Sequence, residues 1–66
     1  MTEELVASYG DEIAVKNVED DLRALGIPSE KIFVDREHRR IRVRTPEATQ
    51  AEIMEVLKRH QPVELG

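Results

Sequence analysis

The sequence predicts an α+β domain: a two-layer sandwich of order β-α-β-β-α-β, with a four-stranded antiparallel sheet and two helices on one face. Three observations carry that prediction. Four short segments alternate in period two, and two longer ones repeat apolar residues at helical spacing. Glycine and proline punctuate the joins, at Gly10, Gly26-Ile27-Pro28, Thr45-Pro46 and Pro62. Both helical segments are apolar along a single stripe, so each covers a sheet rather than filling a bundle centre. Two layers are the simplest way to bury both, with right-handed crossovers.

The first strand is Glu4–Tyr9, where Leu5, Ala7 and Tyr9 alternate with Val6 and Ser8. Asp11 is placed to cap the first helix, and Glu12 meets the positive end of its dipole. Val15, Val18, Leu22 and Leu25 form the apolar stripe, while Lys16, Glu19, Asp20 and Arg23 face water. The run Glu19-Asp20-Asp21 does not converge on a ligand, because adjacent helical side chains point about 100° apart. Gly26 suits the left-handed residue that ends a helix; Ile27 folds back on Leu22, and Pro28 prevents continuation.

The second strand is Lys31–Asp35, with Ile32 and Val34 inward. Arg36–Arg39 joins it to the third strand with no Asn-Gly signal, so the turn type stays open. In Arg40–Arg44, Ile41 and Val43 point inward and Arg40, Arg42 and Arg44 outward, as in a half-buried strand. The second helix has two competing starts. Thr45 can cap it with Pro46 at the first helical position, or Thr49 with Glu52 can form a capping box; the second is favoured. Ile53, Val56, Leu57 and His60 make its stripe, and Pro62 stops it. Val63–Leu65 is a short last strand with Val63 and Leu65 inward.

Residues 1–66 are expected to form a single domain. A chain of that size buries only about 60% of its unfolded surface, so a partner that adds burial is useful to it. The chain has no cysteine, which excludes disulfides and Cys-ligated zinc and fits a cytoplasmic protein. Residues 1–10 lack a basic start and an apolar run, so no signal peptide is expected. No apolar run approaches the roughly 20 residues of a membrane span, so no membrane partner is expected. The net charge of −4 is uneven: residues 1–35 carry nine acids and three bases, residues 36–66 five acids and seven bases. The acidic balance argues against generic nucleic-acid binding, which depends on neutralising phosphates.

Five of the seven arginines fall within residues 36–44. Period-two geometry puts Arg40, Arg42 and Arg44 on the open sheet face, with Lys31 and Phe33 of the neighbouring strand on the same side. These five residues are the candidate binding face. An aromatic ring beside guanidinium groups can hold a phosphate or carboxylate, or stack on a base. Such a row also serves simply to solubilise an open face, with Asp35 and Glu64 as cross-strand partners. His38 reads as a turn residue and His60 as a helix-end residue. Neither has the converging partners of a metal site, and no metal or cofactor is expected. Ser8 and Tyr9 have no base nearby in sequence, so no catalytic residue is expected.

The element order resembles the ferredoxin-like, split-βαβ fold. RNA-recognition motifs share that order but carry aromatics on both central strands, where this chain has Arg40-Ile41-Arg42-Val43-Arg44 and only Phe33 on the face. Metal-transport domains share it too, with a Cys-x-x-Cys loop where this chain has Ser8-Tyr9-Gly10-Asp11. Ala14, Val15, Val18 and Leu22, then Gly26-Ile27-Pro28 and Glu30-Lys31-Ile32, resemble the strand-helix-strand unit of bacterial general-stress-protein domains. That likeness covers about half the chain and implies no site. The expected function is a small non-enzymatic interaction or regulatory domain, acting on a protein partner or a second copy of itself. An anionic ligand on the arginine face is the alternative.

Overall fold

The structure is a computed structural model and describes residues 2–65. Its elements are strand β1 (Thr2–Ser8), helix α1 (Glu12–Ala24), strand β2 (Ile32–Asp35), strand β3 (Arg40–Pro46), helix α2 (Gln50–Arg59) and strand β4 (Glu64–Leu65). Short 3₁₀ turns, Ser29–Lys31 and Glu47–Thr49, lead into β2 and α2. The sheet order is β2-β3-β1-β4, with each neighbouring pair antiparallel. Both helices bury their stripes against one face, so the chain is an α+β sandwich of the ferredoxin-like kind. Val15, Val18, Leu22, Ile53, Val56 and Leu57 pack on Leu5, Ala7, Tyr9, Ile32, Ile41 and Val43.

Helix α1 is held at both ends as its sequence implies. The Ala14 N–H donates to Asp11 Oδ1 at 2.8 Å. At the other end Gly26 sits at φ +95°, its N–H donates to the Arg23 carbonyl at 2.9 Å, and the Ile27 N–H donates to the Leu22 carbonyl at 3.2 Å. Those two bonds are the Schellman ending. Helix α2 repeats half of it. Gln61 is left-handed at φ +54°, and its N–H reaches the Lys58 carbonyl at 3.0 Å. The next residue is Pro62, which has no N–H to give. The carbonyl it would have served, that of Leu57, accepts the Tyr9 hydroxyl at 2.9 Å instead.

Several expectations need correction. β1 ends at Ser8 rather than Tyr9, although Tyr9 still points into the core. Thr49 precedes α2, but its hydroxyl makes no capping bond. The 3₁₀ turn before it leaves Thr49 at ψ 0°, not in the extended conformation from which a cap reaches forward. Its hydroxyl turns back to Thr45 Oγ1 and the Pro46 carbonyl. Thr45 itself continues β3 inward and is fully buried. Leu25 lies just past the last helical turn and is 46% exposed, and Val63 precedes β4 and is 69% exposed, so neither joins the core. Val34 is only half-buried because β2 is a sheet edge. His60 does stand at the end of α2, but its ring reaches across to α1, with Nε2 2.6 Å from Asp21 Oδ2. Among the described residues no helix is long and apolar enough to cross a membrane.

Candidate functional site: the open sheet face

The helices leave the other face of the sheet uncovered, and strand register decides what stands beside what on it. β3 runs between β2 and β1, and its outward residues are Arg40, Arg42 and Arg44. Arg42 is opposite Phe33 on one side and Val6 on the other. Arg40 is opposite Asp35 and Ser8, and Ser8 in turn is opposite Glu64. Arg44 is opposite Glu4. The centre of the face is therefore one guanidinium flanked by an aromatic and an aliphatic side chain. Phe33 is 47% exposed there, too much apolar surface to count as core.

The structure brings together four of the five expected residues, Phe33, Arg40, Arg42 and Arg44. Lys31 is exposed in the 3₁₀ turn just ahead of β2, at the margin of the face rather than in its ladder. Arg39, part of the same arginine cluster, has a structural task. It holds the left-handed position of the hairpin at φ +52°, its carbonyl accepts the Tyr9 N–H at 2.8 Å, and its Nη1 donates to the Gly10 carbonyl at 2.9 Å. Asp35 does not pair with the arginines. Its Oδ2 lies 2.8 Å from His38 Nδ1, and its Oδ1 accepts the His38 N–H at 3.2 Å. The His38 ring and then its backbone N–H hold the Asp35 carboxyl below the usual carboxylate range. Among the described residues the ion pairs lie elsewhere, and none engages Arg40, Arg42 or Arg44.

Of the acids on the face, alternation points to Asp35 and Glu64 but not to Glu4, which stands opposite Arg44 only through the pairing of β1 with β3, two strands that are not consecutive. A shallow depression of about 240 Å³ lies beside Arg40, lined by Val6, Ser8, Glu64 and Leu65. A second hollow of about 270 Å³ lies off this face, between α1 and the β2 edge, where Ile13, Val15 and Val34 are rimmed by Glu12, Lys16 and Arg36. Among the described residues no three His, Cys, Asp or Glu side chains gather as a metal site requires.

Comparison with known proteins adds no relative: no family model matches the chain, and no curated protein or solved structure is significantly similar to it.

Proposed function

We propose that this chain is a non-enzymatic interaction domain that binds protein through its open sheet face. The Phe33–Arg42–Val6 row carries the reading. Aromatic side chains and arginine are the groups enriched at the centres of protein contacts, with charged residues at the rim. Here Arg40, Arg44, Glu4, Asp35 and Glu64 supply that rim. The acids also weigh against a phosphate ligand, which the carboxylates opposite Arg40 and Arg44 repel. The non-enzymatic part rests on the sequence, in which Ser8 and Tyr9 have no base nearby. A cytoplasmic setting belongs to the same proposal and rests on the absence of cysteine. The likeness of the first half to bacterial general-stress-protein domains, which have no assigned reaction, implies no site and names no partner.

The test is affinity capture from the native cell with the wild-type chain and the Arg40→Gln/Arg42→Gln/Arg44→Gln variant as paired baits. A protein held by the first and lost by the second, with the fold unchanged by circular dichroism, is the expected result. Equal capture by both removes the face from the function. Binding of an oligonucleotide that weakens with salt would put the anionic-ligand reading first.

A further inference from the structure

The open face is charged by column. β3 presents arginine alone, at Arg40, Arg42 and Arg44, while β1 beside it presents Glu4, Val6 and Ser8. We propose that a second copy of this chain occupies the face, packed sheet to sheet about a two-fold axis that runs along the strands between β3 and β1. This deepens the reading of the face as a protein contact and rests on it. Such an axis lays β3 of each copy over β1 of the other. Arg44 then meets Glu4 of the second copy, Arg42 meets Val6 and Arg40 meets Ser8, and every contact occurs twice, as a two-fold interface requires.

Charge selects the axis. Turned to run across the strands, a two-fold through the centre of the face sets Arg42 on Arg42 and Arg40 on Arg44. Kept along the strands but shifted onto β3, the axis stacks the arginine column on itself, and shifted onto β1 it sets Glu4 on Glu4. Like charges so apposed oppose association. Only an axis alongside β3 gives each arginine a different neighbour, and the position between β3 and β1 is also the middle of the four-stranded sheet. At the rim Glu64 falls over Asp35 of the second copy, the one like-charged contact of the arrangement.

The area sets the strength. β1 and β3 are seven residues long, β2 four and β4 two. At about 3.3 Å per residue and about 4.8 Å between strands they present roughly 320 Å² per copy, about 640 Å² in all, the size of a weak, transient contact. A weak, readily dissociating dimer is the consequence.

Sedimentation equilibrium on the full chain tests it, from about 10 μM to 1 mM, the range in which a dimer with a dissociation constant of about 100 μM forms and dissociates. The wild type is expected to dimerise reversibly. Glu4→Arg or Arg44→Glu alone should weaken the dimer at least about tenfold, because each makes two like-charged contacts. The double swap Glu4→Arg/Arg44→Glu should restore it, and Glu64→Lys should tighten it. Glu4→Gln and Arg44→Gln, milder at the same exposed positions, serve if a reversed charge disturbs the fold. A monomer throughout the range overturns the inference; if arginine-dependent capture of another protein persists, the interaction reading survives without it. A dimer indifferent to both single changes, or not recovered by the swap, overturns the axis.

Discussion

The hydroxyl of Tyr9 supplies a hydrogen bond that α2 cannot obtain from the backbone that follows it. Pro62 stands where the final N–H donor of the helix ending belongs, and the Leu57 carbonyl turns to the tyrosine. Removing that hydroxyl by Tyr9→Phe leaves a buried acceptor without its partner, a loss of about 1–2 kcal/mol that denaturant unfolding will read. The same burial pushes the Tyr9 hydroxyl up to about 12, against 10.0 when free. A group raised on folding lends stability that is complete below its unfolded value. That stability is lost as pH climbs through the folded one. Stability should therefore fall between about pH 10 and pH 12, by roughly 2–3 kcal/mol from this group, and Tyr9→Phe should remove that part of the decline. Tyr9 is the only tyrosine, so its absorbance change on ionisation reports this site directly. Alternation marks Tyr9 as inward in the sequence, but its acceptor lies 48 residues away and no local pattern announces it.

Helix ends show which elements a sequence specifies alone. The ending of α1 is legible because its parts are consecutive: an apolar residue, Gly26, Ile27 and Pro28. The ending of α2 is not, because its second bond comes from Tyr9, just past the end of β1. Thr49 and Glu52 have the spacing of a capping box, yet the turn before them sets a backbone angle the box cannot use. The left-handed residues at the two helix ends, Gly26 and Gln61, should respond in opposite ways. Gly26→Ala puts a Cβ into open space, so its cost is conformational alone, about 1–2 kcal/mol at φ +95°. Gln61→Gly relieves the same kind of strain at φ +54° and should stabilise the chain by roughly 0.5–1 kcal/mol. Thermal unfolding of both variants beside the wild type measures the pair; a destabilising Gln61→Gly would show that its side chain has a tertiary task.

At the scale of the molecule, period-two alternation and one-sided helices were enough to read the sandwich and to turn Arg40, Arg42 and Arg44 outward. They could not show which strand lies beside β3 on its far side. That pairing joins residues about as distant in sequence as Glu4 and Arg44, and it converts an arginine cluster into a face of alternating columns. If that face closes on a second copy, stability becomes a property of concentration. Dimerisation stabilises only the folded state, so above the dissociation constant each tenfold rise in protein adds about half of the 1.4 kcal/mol of a tenfold equilibrium shift to each chain. For a domain of this size that is about 3–6 °C in unfolding temperature per tenfold. Scans from tens of micromolar to millimolar protein should show the rise in the wild type. Arg44→Gln should flatten it while leaving the midpoint at the lowest concentration nearly unchanged, because an exposed arginine without an ion pair contributes little to the monomer and a neutral side chain sets no like charge opposite Glu4. A midpoint lowered equally at every concentration would instead make Arg44 a residue of the fold and leave the open face without its second copy.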